Sequence, residues 1–173
     1  MTGVQTCALP ISAAAPSRPL EKVGFARVLD DKPIVQALRD FYEFDLDAVL
    51  EEYGLVLMSR YEKLFAFPRR IIDEFADFPL EFAGMLLGEI VDNAVIPSHD
   101  WVCRFGLLFT QRKVLLSTEQ CTAWARGEDC FDFKVEEANK GEVLVVCSPG
   151  GLVLGRGKVL KDRLKNLLPR RLV

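Results

Sequence analysis

The sequence predicts an α+β fold in which helices and strands mix in the first part and a small barrel-like β module follows. Half of the 173 residues are apolar, which is enough to bury a core. From Pro33 onward apolar residues recur first at helical spacing and then in short extended runs. The last part, roughly 60 residues, combines several short strands with one short helix, as small β-barrels do.

Two helices open the first part. The first helix follows Pro33, where apolar side chains fall at positions i, i+4, i+7 and i+8: Ile34, Leu38, Phe41 and Tyr42. Either Asp45 or Asp47 can cap a second helix, because a carboxylate accepts hydrogen bonds from the first free amides. That helix is predicted to run to Tyr53 and to end at Gly54.

Extended segments and short helices alternate after Gly54. Residues 55–59 and 64–67 are predicted to form a hairpin, which Pro68 ends. A helical turn at Ile71, Ile72 and Phe75 and an extended segment over residues 82–91 follow. Ser98 is a plausible cap for a helix through four apolar residues: Trp101, Val102, Phe105 and Leu108.

Polarity rises at residues 111–113, where we place a domain boundary, so residues 20–112 form one α+β domain and residues 113–173 the β module. The pattern Ser117-Thr-Glu-Gln120 is a capping box, and the helix that it opens ends at Gly127. Strands are predicted over residues 129–135, 142–147 and 152–159, with a turn over residues 148–151.

The first 19 residues are set apart from the fold. Residues 1–12 resemble the translation of a common sequencing adapter and lack the basic segment of a signal peptide. We therefore expect an artefact followed by a disordered run-in, and a natural chain that begins upstream.

Composition excludes several classes of protein. The five cysteines are odd in number and form no C-x-x-C pair, so neither a disulfide framework nor a zinc knuckle is indicated. We expect no metal, no cofactor and a reducing cytoplasm. The longest apolar run, over residues 82–88, is far shorter than a membrane span.

The sequence contains no complete motif for nucleotide binding or catalysis. Leu152 stands where a Walker loop ending at Lys158 needs glycine. Cys147 ends an apolar strand with no acid, histidine or cation beside it, which favours a buried structural thiol over a nucleophile. His99, the only histidine, lies at a helix start and favours a structural role. We assign no catalytic residue.

The basic C-terminal end argues most directly for a partner. Residues 151–173 carry one carboxylate, Asp162, and seven cations: Arg156, Lys158, Lys161, Arg163, Lys165, Arg170 and Arg171. The local net charge is +6, whereas residues 1–150 carry 15 cations and 24 carboxylates, a net charge of −9. Such asymmetry favours a polyanion partner over a solvated helix face.

Apolar residues within this end predict that it packs onto the module. These apolar residues are Leu160, Leu164, Leu167 and Leu168. Their helix-like spacing predicts a helix that packs with its leucine side and presents cations on the other side.

Short motifs in a fixed order carry a resemblance to a known family. The basic end contains Gly157-Lys158, Leu164-Lys165-Asn166 and Pro169-Arg170. Upstream of it stand three further motifs: Gly84-Met-Leu-Leu-Gly-Glu89, Pro97-Ser98-His99 and Ala123-Trp-Ala-Arg-Gly-Glu128. Together these motifs, over roughly residues 35 to 173, resemble the C-terminal region of RsmF-type members of the Sun (Fmu) family of RNA 5-methylcytosine methyltransferases.

The resemblance implies a pre-PUA domain followed by a PUA-like pseudo-barrel that binds structured RNA, ribosomal or transfer. The family's methyltransferase domain is absent from the sequence, so RNA binding is implied and catalysis is not. We expect the RNA contacts from eight residues: Arg156, Lys158, Lys161, Arg163, Lys165, Asn166, Arg170 and Arg171. For Asn166, a hydrogen bond to RNA and a turn cap remain equal alternatives.

Two other functions stay open. The chain can be the C-terminal fragment of a complete S-adenosylmethionine-dependent RNA cytosine-C5 methyltransferase. For the RNA-binding module itself, a methyltransferase domain on the same or another chain is an expected partner. In a different class, it can be a protein-interaction module of ribosome assembly that uses its acidic first part.

Overall fold

The computed structural model describes residues 26–27, 32–74, 84–91, 94–133 and 138–170. The run-in predicted over residues 1–19 and the candidate contact Arg171 lie outside these ranges.

Helices and strands alternate in the first part as predicted. Before residue 110 they occur in the order β1 (Ala26–Arg27), α1 (Lys32–Tyr42), α2 (Leu46–Glu52), β2 (Leu55–Arg60), β3 (Lys63–Pro68), α3 (Arg69–Glu74), β4 (Met85–Val91), β5 (Ala94–Pro97), α4 (His99–Phe105) and a 3-10 helix (Gly106–Leu108). After it come β6 (Lys113–Leu115), α5 (Thr118–Ala125), β7 (Val143–Cys147), β8 (Val153–Val159) and β9 (Leu164–Asn166).

Local capping signals define the helices where the sequence predicted them. The Asp45 side chain accepts a hydrogen bond from the backbone amide of Ala48 at the start of α2. Gly54 has a φ of 58°, in the left-handed region that favours glycine after a helix. Ser117 and Gln120 form the reciprocal capping box of α5. The predicted starts and stops of these helices are therefore confirmed.

An antiparallel sheet forms the first part, with strand order β1-β2-β3-β4-β5. The hairpin between β2 and β3 is the predicted one, and it turns through Tyr61 and Glu62, both of which have positive φ. Two residues in this conformation match the twist of the strands that they join.

A second sheet has the order β6-β7-β8-β9, in which β6 and β7 are parallel and the other pairs antiparallel. The predicted strands at β7 and β8 are confirmed, whereas β6 and β9 were not predicted. Glycines let β8 approach its neighbours: a Cβ added at Gly157 would lie 2.7 Å from Cγ of Leu164.

The two sheets share one core through α4 and β7. Val145 and Cys147 of β7 join Trp101 and Phe105 of α4 in a buried cluster with residues of the first sheet. The opposite face of β7 packs in a second cluster that includes Trp124 of α5. Because β7 is buried on both faces, its five residues form a continuous apolar run. The division at residues 112 and 113 stays a prediction.

Two predictions about secondary structure are wrong within the described residues. The leucines of the C-terminal end do not form a helix, since Leu164 begins β9 and Leu168 packs from an irregular segment. Leu164 is fully buried and pairs with both Val159 and Cys130, so non-local strand pairing overrides helical spacing. In the predicted strand over residues 129–135, Cys130 forms only this isolated bridge, and residues 134 and 135 lie outside the description.

Candidate nucleic-acid interface

Two lysines lie side by side on the face of the second sheet that points away from the buried cluster around Trp124, and this face is called the outer face. Lys158 of β8 pairs directly with Lys165 of β9, and both side chains are exposed. The next pair, Val159 and Leu164, points into the core on the other face. Like charges that face each other across a strand pair destabilise folding. An anion bound between the two side chains would offset this repulsion.

Further exposed cations flank this pair. Lys161 lies in the turn between β8 and β9, which a backbone hydrogen bond from Leu160 to Arg163 closes. Arg170 is exposed shortly after β9. Among the described residues, none of the carboxylates pairs with Lys158, Lys161, Lys165 or Arg170 within 4.0 Å. We call these four residues the cation row.

Arg163 has intramolecular partners. Its Nε donates to the Asp129 carboxylate at 2.8 Å, and its Nη1 lies 3.3 Å from Asp162. The side chains of Arg163 and Asp129 are about one third exposed, at 35% and 29%. Two carboxylates therefore offset much of the charge that Arg163 could offer a ligand.

Asn166 uses its side chain inside the protein. Its Nδ2 donates to the carbonyl oxygens of Trp124 at 2.8 Å and of Glu128 at 3.2 Å, and its Oδ1 accepts from the backbone amide of Leu168 at 2.8 Å. Its backbone amide donates to Asp129. These bonds satisfy carbonyls at the end of α5 and fix the turn after β9, which is the capping alternative of the sequence prediction.

Arg156 points toward the first sheet. It pairs with Val145 of β7, and its Nη1 donates to the carbonyl oxygen of Pro97 in β5. Burial lowers the pKa of Arg156, while the charges of Glu89, Tyr42 and Asp100 act in the opposite direction. Arg156 therefore links the two sheets.

A family model matches the part of the chain that contains the second sheet. Residues 111–173 match the model described as the methyltransferase RsmF PUA domain. This part of the chain belongs to that family. It includes β6 to β9, α5 and the cation row, so the PUA-like architecture expected from the sequence is confirmed.

Three curated relatives extend the similarity over most of the chain, and each carries the name ribosomal RNA small subunit methyltransferase F. The protein of Psychromonas ingrahamii is 32% identical over 158 residues, which cover 89% of this chain. Those of Shewanella loihica and Aliivibrio salmonicida are 29% and 27% identical over 90% and 89% of it. In each case the match spans 31% of the relative's own length.

A solved structure of a conserved PUA domain protein from Thermoplasma acidophilum aligns with 86% of this chain and 97% of its own. The TM-score is 0.41 and the identity 13%, so this superposition adds no weight to the assignment.

Side chains with catalytic or metal-binding chemistry are dispersed around the PUA domain. Cys147 is buried, as predicted, and burial raises its pKa, with the charge of Lys113 acting in the opposite direction. His99 lies 3.4 Å from the sulfur of Cys103 and packs against Gly155. In the part of the chain that the structure describes, no three metal-ligating side chains gather and no helix is long and apolar enough to cross a membrane.

Two residues of the PUA domain surface were missed by sequence reasoning. The Asp129 carboxylate accepts a hydrogen bond from the Arg163 side chain, 34 positions later, and one from the backbone amide of Asn166 in β9, 37 positions later. No local sequence pattern indicates these contacts. Phe131 is a large aromatic side chain with 68% exposure beside Arg163. The only available signal was an aromatic residue within a polar segment.

Proposed function

We propose that this chain is the RNA-binding part of an enzyme that modifies ribosomal RNA of the small subunit, and that it is not catalytic by itself. The observation that carries the proposal is the exposed pair Lys158 and Lys165, which has no acidic partner among the described residues. Phosphate oxygens of an RNA backbone supply the negative charge that this pair lacks.

The cation row supplies the phosphate contacts in this proposal. Lys158 and Lys165 bind from the sheet, Lys161 from the neighbouring turn and Arg170 from the segment after β9. Arg171 stays a predicted contact. Arg156, Arg163 and Asn166 act instead as structural residues, because each side chain already donates at least one hydrogen bond to a protein group. Phosphate contacts position an RNA without reading its sequence.

The comparisons support ribosomal RNA over transfer RNA, because the relatives are named for the small-subunit ribosomal RNA. A catalytic domain in the remainder of a longer protein would carry out the methylation, and the cytoplasm is where such a protein would meet its RNA. The buried thiol of Cys147 is unsuited to attack a base, which fits a non-catalytic role for this part.

A double variant tests the proposal. Replacing Lys158 and Lys165 by alanine removes two phosphate contacts, each of which contributes a salt exponent of about 0.7 to 0.9. At roughly 0.1 M salt, affinity for a hairpin of small-subunit ribosomal RNA should therefore fall by more than about tenfold. Fluorescence anisotropy with labelled RNA measures the change.

Lys63→Ala/Arg69→Ala is the matched control, since it removes two exposed cations of the first part, Lys63 at the start of β3 and Arg69 at the start of α3. This control should bind the hairpin as the wild type does. Equal affinity of the wild type and the Lys158→Ala/Lys165→Ala variant would overturn the proposal, as would an equal loss in the control.

A further inference from the structure

The outer face of the PUA domain carries an exposed aromatic ring among its cations. Phe131 is 68% exposed, and the Cζ of Arg163 lies 6.0 Å from the centre of its ring. The guanidinium covers part of the ring and leaves most of it accessible.

A backbone bridge places this ring beside the start of β9, the strand that carries Lys165. Cys130 and Leu164 exchange two backbone hydrogen bonds, so the residues after and before them, Phe131 and Arg163, are opposed. Cys130 and Leu164 point into the core. Because side chains alternate along β9, Lys165 lies on the outer face. Phe131, which follows Cys130 at the isolated bridge, is exposed beside Arg163, two positions before Lys165.

We propose that Phe131 is a stacking platform for an unpaired base of the RNA that the cation row holds. This inference rests on the proposed function and deepens it. Every base has a π-face, so an aromatic ring beside a basic groove binds single-stranded nucleic acid regardless of its sequence. Bases in loops and bulges are free to unstack in this way, whereas paired bases are not.

The charge of the surroundings favours RNA over an apolar protein ligand. Lys161 and Lys165 lie on either side of Arg163 in the chain, and Asp129 and Asp162 engage that arginine. An apolar protein partner would leave the two lysines without anionic partners in the interface. A base attached to its phosphate satisfies both the ring and the neighbouring cations.

Three RNAs of equal length separate stacking from phosphate binding. The first is a hairpin with an unpaired loop, the second is the same hairpin with abasic nucleotides in the loop, and the third is a blunt duplex. Phe131→Ala should weaken binding of the first RNA about tenfold, within the range of base–aromatic stacking, and leave its salt exponent unchanged. It should bind the abasic hairpin and the duplex as the wild type does.

Tyr61→Ala is the matched control. Tyr61 is 79% exposed in the turn between β2 and β3. The substitution therefore removes an aromatic ring from a different surface. Both rings are exposed, so neither variant should lower the unfolding midpoint.

Phe131→Trp reports stacking directly. Its indole fluorescence should be quenched by the loop RNA and not by the abasic RNA, against a constant signal from the buried Trp101 and Trp124.

The inference fails if Phe131→Ala binds the loop RNA like the wild type while Lys158→Ala/Lys165→Ala binds it weakly; the proposed function then stands. An equal loss by Phe131→Ala on all three RNAs also overturns the inference, because the ring would then support the surface rather than stack. If the wild type binds none of the three RNAs, the proposed function itself is wrong and the inference with it.

Discussion

Replacing Asn166 by alanine separates a structural role from an RNA contact. The change removes three hydrogen bonds, two donated by Nδ2 to Trp124 and Glu128 and one accepted by Oδ1 from Leu168. At about 0.5 to 1.5 kcal/mol each, their loss should lower the free energy of unfolding by about 2 to 4 kcal/mol. With a denaturant slope of about 2 kcal/mol/M, the urea midpoint should fall by about 1 to 2 M.

Urea unfolding followed by tryptophan fluorescence measures this midpoint, because Trp101 and Trp124 are buried and report loss of the core. Asn139→Ala is the control, since Asn139 is exposed and bonds only locally to Glu142. It should shift the midpoint by less than about 0.5 M. Under conditions where Asn166→Ala is folded, its RNA affinity should equal that of the wild type. An unchanged midpoint combined with weaker RNA binding would refute the structural role.

Two further predictions concern packing and pH. Gly157→Ala should destabilise the protein by about 1 to 3 kcal/mol in urea unfolding, because its Cβ would meet Leu164 at 2.7 Å, whereas Gly150→Ala meets only a side-chain oxygen at 4.0 Å and should be neutral. Burial raises the pKa of Tyr42, whose hydroxyl donates to the carbonyl oxygen of Val143. The unfolded phenol ionises near pH 10, so stability should fall as the pH rises above that value, and less steeply in Tyr42→Phe. Equal pH slopes in wild type and variant would contradict this.

Local signals explain why much of the first part could be predicted from the sequence. The apolar stripe of α1, the Asp45 cap of α2 and the stop at Gly54 all act within a few residues. The hairpin likewise depends on neighbouring residues.

The C-terminal end could not be predicted in this way. Leu164 and Leu168 fall four positions apart, which equally fits one face of a helix. The segment forms strand β9 instead, because Leu164 pairs with Val159 and with Cys130, 34 positions earlier. Long-range pairing of this kind has no local pattern.

The sequence predicted which cations belong to the candidate site, but it did not show which of them bond to other protein groups. The cations are evident in the sequence, but only the structure shows that Arg163 engages Asp129 and that Arg156 bonds to Pro97, 59 positions away. These distant partners separate structural cations from the exposed ones at Lys158 and Lys165.

The salt dependence of RNA affinity tests the central claim most directly. With the four contacts of the cation row, a plot of log affinity against log salt concentration should have a slope of about −3 for the wild type. For Lys158→Ala/Lys165→Ala the slope should be about −1.5. Equal slopes for the two proteins, or a wild-type slope near zero, would contradict the account.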